Sequence, residues 1–322
     1  MKTTTIKYLS YGKYKTGGFR HEDFLTNSLS NYISKSETIE VKKIRPTKFF
    51  KNFLAHIELL WFGFKQSNAD YTIVVGRLAL SAILRNLFSA NKIIVVLHNY
   101  DDEDRKKFAL KLYFEILFGL LRTFHFKNLT LICVAKYWQH YFTNKLGTKN
   151  RIEVFPNFFD VEYYKKFKSI NKEKRIHLGQ WNSKNHPDVF IAAKKLCAEG
   201  YECYFSTNDK DAICEEIYFT IRYENFEEYL SQMASCQYTL ALSGINEGWN
   251  RIAHESILVG TTVIGYSNAG LGELLEESNS LIANSSIKVL ELIEAQKHPE
   301  IPNQFFENYD VKMAEIYMEN IF

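Results

Sequence analysis

The chain has 322 residues, 46% hydrophobic and 24% charged, the balance of an ordinary globular protein long enough for two domains. Its five cysteines, Cys133, Cys197, Cys203, Cys214 and Cys236, form no Cys-x-x-Cys pair, so neither a disulfide framework nor a zinc site is suggested. The net charge of +3 hides an asymmetry: residues 1–155 hold about 25 Lys and Arg against about 12 Asp and Glu, roughly +13, and the remainder is near −10.

A basic half of this kind suits nucleic acid, an anionic membrane surface or a phosphate-bearing substrate, or it is simply a solvated face. The opening residues, "MKTTTIKYLSYGKYKTGG", contain no continuous apolar run of signal-peptide length, which predicts a cytoplasmic protein.

Short apolar runs alternate with longer amphipathic stretches along the chain, the signature of β-α units around parallel sheets. In the first half the predicted strands are 5–11, 38–44, 71–76, 92–98, 129–135 and 151–157; in the second they are 175–180, 201–207, 216–222, 237–243, 261–267 and 280–284. Several are nearly continuous in Val, Ile and Leu, as strands covered on both faces should be. Between them, "NFEEYLSQMASC" offers Asn225 as a helix cap, and "HPDVFIAAKKLCAEG" has Pro187 near its start and Gly200 past its end. The proline and lysine-rich stretch 155–174 marks the predicted domain break, and 305–322 reads as a terminal amphipathic helix. Segments 49–64 and 106–121 are rich in aromatics and leucine but carry Glu58, Lys111 and Glu115. Neither reaches the roughly 20 apolar residues of a spanning helix, so they read as core helices or as helices lying on a bilayer.

The stretch "SGINEGWNRIAHES", 243–256, places Glu247 and Glu255 eight positions apart, across the start of a predicted helix. Eight residues correspond to about 12 Å of helical rise, a span that suits an elongated ligand. The helix start between them suits a diphosphate, with one carboxylate at sugar hydroxyls and the other at ribose. The plain alternative is an acidic residue favouring the dipole and an exposed helix glutamate. Asp102, Glu103 and Asp104 contain an Asp-x-Asp pattern, but acidic residues at a helix start need no metal to explain them. No Walker A loop, no Gly-x-Gly-x-x-Gly after a strand and no nucleophile elbow is present.

The stretch 231–278 resembles the donor-binding region of GT-B glycosyltransferases of the retaining family 4 type (group 1). The resemblance rests on Glu247-Gly248-Trp249, Glu255, Gly260, Val263-Ile264 and Gly270 to Glu273. "HLGQWNSKNHPDVF" resembles the family's Gly-Arg…Lys segment, with Gly179 and Lys184 matching and Gln180 where an arginine is usual. "FPNFFD", 155–160, resembles its Pro-Asn-Gly hinge, with Phe158 in place of glycine. Gly17 and Gly18 resemble its acceptor-side loop, and His98 a strand-end histidine near the transferred sugar.

The resemblance implies an α/β GT-B fold with two Rossmann-like domains facing across a cleft. An acceptor-binding domain would span 1–157, with helix 305–322 packing back on it, and a nucleotide-sugar domain would span 158–304. The implied function is retaining transfer from a UDP- or GDP-sugar to a glycan or lipid-diphosphate-linked acceptor in surface polysaccharide synthesis, with no metal, no other cofactor and no nucleic acid. Glu247 would orient the sugar, Glu255 the ribose, and Lys184 and the helix start after Gly248 the diphosphate. His98 would sit at the reacting side, Trp249 and Asn250 would face the sugar, and Arg222 or Tyr223 would border the base. A cytoplasmic protein peripheral to an anionic membrane follows from such an acceptor. Two alternatives remain: a catalytically silent nucleotide-sugar-binding scaffold, suggested by Gln180, and a sugar-nucleotide epimerase on the same fold.

Overall fold

The computed structural model describes residues 3–10, 17–44, 54–98, 108–182 and 185–321. The chain divides into two compact units, Met1–Asn157 with Ala314–Phe322, and Phe158–Met313.

Unit 1 holds β1 (Thr3–Leu9), α1 (Gly17–Ser34), β2 (Thr38–Ile44), α2 (Leu54–Gln66), β3 (Tyr71–Val75), α3 (Gly76–Arg85) and β4 (Lys92–Leu97). It continues with α4 (Phe108–Thr123), β5 (Leu129–Cys133), α5 (Lys136–Leu146) and β6 (Arg151–Val154). The sheet order is β2-β1-β3-β4-β5-β6, parallel throughout. The central strand β4 is buried at every residue but its first, which is why it reads as an unbroken apolar run. The edge strand β2 is largely exposed and carries Lys42 and Lys43, charges that discourage edge-to-edge pairing.

The strand order also sorts the helices. The step from β1 to β2 runs one way across the sheet, and the steps from β2 through β6 run the other. Right-handed crossovers then put α1 on one face and α2, α3, α4 and α5 on the opposite face. The contacts agree: α2 packs on α3, and α4 on α5.

Unit 2 begins with α6 (Val161–Lys165), β7 (Glu173–Gln180), α7 (Asp188–Ala198), β8 (Glu202–Thr207), β9 (Cys214–Glu215), β10 (Thr220–Tyr223) and α8 (Phe226–Ser235). There follow β11 (Cys236–Ala241), α9 (Arg251–Leu258), β12 (Thr262–Tyr266), α10 (Ala269–Glu277), β13 (Leu281–Ala283), α11 (Ser286–Glu294) and α12 (Asn303–Asn308). Its sheet runs β13-β12-β11-β7-β8-β10-β9, parallel except for the β9–β10 pair. Asn225 and Glu228 form a reciprocal capping box on α8, and Gly200 takes φ +82° after α7, a backbone state that glycine adopts without strain.

Two expectations are corrected here. The run 216–222 is not one strand: β9 and β10 flank a turn, closed by Glu216 N donating to Phe219 O at 2.8 Å. Nor is 305–322 one helix. α12 ends at Asn308, a short 3₁₀ turn covers Val311–Met313, and α13 (Ala314–Ile321) packs on α1. The break falls where Phe159 N donates to Tyr309 O and Val311 N donates to Phe159 O, so the backbone bonds of the turn go to another segment. Arg151 caps the far end of α13 by donating to Ile321 O at 2.7 Å and to Asn320 O.

Candidate functional site

Segment 243–250 links β11 to α9 at the carboxyl end of the unit 2 sheet, where open α/β sheets place ligands. Three contacts fix its course. Ser243 forms an isolated antiparallel bridge with Asn185, Asn268 Nδ2 donates to Ser243 O at 2.9 Å, and Gly270 N donates to Glu247 O at 3.0 Å. A Cβ at Gly270 would lie 1.9 Å from Gly248 O, so only glycine permits the loop to pass against the first turn of α10. Glu247 is half-buried, and its Oε1 accepts from Ser243 Oγ at 3.0 Å. Asn250 is the N-cap of α9, its side chain accepting from Ala253 N at 2.9 Å. The first N–H groups of such a helix have no intrahelical acceptor, and they carry the positive end of its dipole.

Gly179 and Gln180 end β7, the sheet neighbour of β11. Gly179 has φ +88°, and Gln180 O accepts from Asn182 Nδ2 and Asn185 Nδ2, each at 3.1 Å. The structure therefore brings Gly179, Gln180, Glu247, Gly248 and Asn250 to the carboxyl ends of adjacent strands. Lys184 lies outside the described residues, as does Asp102-x-Asp104. Among the described residues no group of three or more His, Cys, Asp or Glu is arranged to hold a metal ion.

Trp249 does not present its ring to this loop. It is 7% exposed, its indole N–H donates to His254 Nδ1 at 3.1 Å, and the ring packs on Tyr309 with centroids 5.1 Å apart. An indole with an internal acceptor for its one donor is stable in a core, so the side-chain contact expected of Trp249 is corrected to a packing role. Burial and the neighbouring Arg251 hold His254 well below the usual histidine range; it is neutral, with the proton on Nε2 because Nδ1 accepts from Trp249.

Glu255 also faces inward. It is 4% exposed; Oε2 accepts from Tyr229 OH at 3.0 Å, and Oε1 accepts from Arg251 Nη2 at 3.3 Å and Tyr164 OH at 3.4 Å. Burial and this carboxylate push the Tyr229 hydroxyl well up. A ribose hydroxyl reaching Glu255 would have to replace one of the two long Oε1 partners.

Arg222 and Tyr223 are consecutive on β10, so their side chains leave opposite faces of the strand. Arg222 pairs with Glu202 and lies 5.1 Å over the Tyr204 ring. Its charge is balanced there by Glu202. Tyr223 is 38% exposed, with Lys210 Nζ 5.2 Å from its ring centroid; of the two, it is the one with an open aromatic face.

In unit 1, His98 follows β4, and its Nε2 lies 2.8 Å from Oε1 of the buried Glu22 on α1. The other oxygen of Glu22 accepts from Tyr8 OH on β1, and burial and Glu22 together drive the Tyr8 hydroxyl far up. His21 packs edge-on to His98 at 5.1 Å and contacts Phe155 O at 2.6 Å. Gly17 and Gly18 form the first turn of α1, one turn before Glu22. Glu22 and Tyr8 were not singled out from the sequence. The one available signal is the position of Glu22 five residues after Gly17, on the helix expected to follow that loop.

No protein-family model and no curated protein matches the chain. Solved structures do. HepE from Anabaena, in complex with UDP and glucose, is similar at TM-score 0.70 with 14% identity, covering 98% of each chain. Sucrose-phosphate synthase from Thermosynechococcus elongatus is similar at TM-score 0.72 with 10% identity, again covering 98% of each. UDP-GlcNAc 2-epimerase from Methanocaldococcus jannaschii is similar at TM-score 0.58 with 10% identity, covering 99% of each. With two parallel-sheet Rossmann-like units and likeness over the full chain, the protein has the GT-B fold.

Proposed function

We propose that the chain is a retaining glycosyltransferase. It moves a sugar from a UDP- or GDP-linked donor to a hydroxyl of a glycan or lipid-diphosphate-linked acceptor in surface polysaccharide synthesis, without a metal. The observation that carries this reading is the pinned loop before α9: a carboxylate, Glu247, and a helix N-terminus held together beside the β7 turn. Charge develops on the leaving diphosphate and on the sugar as it becomes oxocarbenium-like, so transfer needs N–H dipoles or cations at phosphate and a carboxylate at the sugar. The α9 start and Lys184 serve the first need. Glu247 serves the second, Tyr223 stacks on the base, and Glu255 accepts from ribose by exchanging an Oε1 partner. On unit 1, Gly17, Gly18 and His98 belong to the acceptor side. The complex of HepE with UDP and glucose favours a uridine nucleotide as the first donor to try.

The likeness to a UDP-GlcNAc 2-epimerase favours one second reading, isomerisation of the donor sugar. Incubation with labelled UDP- and GDP-sugars separates the two: transfer or donor hydrolysis with the sugar unchanged supports the transferase, and epimer formation supports the isomerase. Binding without turnover under any acceptor would leave a nucleotide-sugar-binding scaffold.

A further inference from the structure

The outer surface of the helical layer α2–α3–α4 in unit 1 is apolar where such a layer is normally polar. On α4, Leu110, Phe114, Leu117, Phe118 and Leu121 are buried toward the sheet, which satisfies the amphipathic requirement. Yet the opposite arc of the helix presents Phe108, 80% exposed, with Leu112 and Ile116 at i+4 and i+8. On α2 the same holds for Trp61, 67% exposed, and Phe64; beyond α3, Phe88 is fully exposed. These helices are lateral neighbours: α2 packs on α3, and Tyr113 of α4 donates to Gly76 O and accepts from Leu80 N of α3.

The rest of unit 1 does not share this character. Across the sheet, the exposed positions of α1 are Arg20, Asn27, Asn31 and Ser34; on α5, beside α4, they are Lys136, Tyr137, His140 and Asn144, one aromatic among four. Elsewhere among the described residues of unit 1 the exposed large hydrophobics are single residues, Val41, Tyr137 and Ile316, whereas on α2–α4 and the residues just after these helices they are concentrated.

The charges mixed into it have one dominant sign. The exposed charged residues of α2, α3 and α4 are Lys65, Arg85, Lys111 and Arg122, against Glu115 alone. Aromatic and aliphatic side chains flanked by lysine and arginine match the interfacial zone of an anionic bilayer, where apolar groups enter the acyl boundary and cations meet lipid phosphates. No helix among the described residues is long and apolar enough to cross a membrane, so this surface would lie on the bilayer.

We propose that unit 1 docks on an anionic membrane through the exposed face of α2, α3 and α4, with Phe88, Trp61, Phe108 and Leu112 entering the interface. This deepens the lipid-linked acceptor read above and rests on that reading for its purpose, but vesicle binding is measured without turnover, so either can fail while the other stands. The test uses the full chain with sucrose-loaded vesicles of phosphatidylcholine alone or with 30% phosphatidylglycerol (about physiological salt). Co-sedimentation is expected with the anionic vesicles and at least tenfold less with the neutral ones. Trp61 supplies an internal probe, because Trp138 and Trp249 are buried and Trp181, 38% exposed, belongs to unit 2: the emission should shift to the blue and be quenched by lipids brominated in the acyl chain, and Trp61→Phe should remove that change while leaving the Trp181 emission. The exposed double substitution Phe88→Ser with Leu112→Ser should weaken binding at least tenfold, while Ile316→Ser, exposed on α13, should leave it unchanged. Failure of the wild type to bind anionic vesicles overturns the proposal. So does equal binding by the double variant, or a concentration-dependent dimer abolished by the same substitutions, which would make a second copy the occupant.

Discussion

His98 Nε2 lies 2.8 Å from Glu22 Oε1, and the second oxygen of that carboxylate takes the Tyr8 hydroxyl. A carboxylate accepts only, so the Nε2 that faces it carries a proton, and any lone pair of the ring is on Nδ1. Three elements, β1, α1 and the end of β4, thus fix one imidazole in one tautomer. Glu22→Gln offers either a carbonyl or an amide to Nε2 and loses that selection. We expect kcat to fall about 10- to 100-fold, the range for losing an orienting partner of a histidine, with donor KM unchanged. Nitrogen-15 chemical shifts of His98 should report mixed tautomers in the variant; an unmixed Nε2-H form with unaltered kcat would show that Glu22 is structural.

Glu247 and Glu255 should respond differently to substitution. Glu247 lies in a half-buried loop whose backbone bond to Gly270 N survives truncation of the side chain, so Glu247→Ala should cost transfer at least 100-fold (about 3 kcal/mol of transition-state stabilisation) and little stability. Glu255→Gln leaves Arg251 and two tyrosine hydroxyls short of a charged acceptor inside the unit, and should cost about 1–3 kcal/mol of stability. Calorimetric titration with UDP then decides its second role: tenfold weaker binding fits a ribose contact, and unchanged binding confines Glu255 to packing.

Gly270→Ala places a Cβ within 1.9 Å of Gly248 O, backbone against backbone. The loop must move away from α10, at a cost of about 1–3 kcal/mol, carrying Glu247 with it. Denaturant melts and donor titration should both register the change. A folded variant with wild-type donor affinity would disconnect this loop from the ligand.

His177 and His254 predict an acid limit. Both are buried; burial pulls His177 down to about 3 and holds His254 well below its usual range. Above about pH 6.5 neither folded nor unfolded chain protonates them, and their contribution is intact. As the pH falls below that value the unfolded chain binds protons that the folded unit refuses, so stability drops by up to about 1.4 kcal/mol per pH unit for each histidine until the folded pKa is reached. Urea midpoints measured from pH 7 to pH 4 should fall, with the steep part below pH 6.5. A flat profile would contradict the burial of these two rings.

The alternation of strands and helices was readable because each central strand is covered on both faces and therefore continuously apolar, as β4 is. The loop 243–250 and the glycine at 270 were readable because close backbone approach leaves few residue choices. What stayed hidden depended on side-chain direction. Trp249 and Asn250 are adjacent, yet one turns into the Tyr309 cluster and the other caps α9; Arg222 and Tyr223 part in the same way across a strand. Glu22 was missed because a glutamate inside a helix looks solvated until the fold brings His98 and Tyr8 to it. The stretch 106–121 fitted a core helix or an interfacial one, and α4 combines a buried apolar face with an exposed apolar arc.

On the proposed reading, the loop before α9 binds and activates a nucleoside diphosphate sugar. That reading is tested most directly by incubating the purified chain and its Glu247→Ala variant with a panel of labelled UDP- and GDP-sugars and measuring release of the nucleoside diphosphate. Release from at least one donor is expected of the wild type, reduced at least 100-fold in the variant (about 3 kcal/mol). Equal release by both proteins, or neither turnover nor binding of any donor, would contradict it.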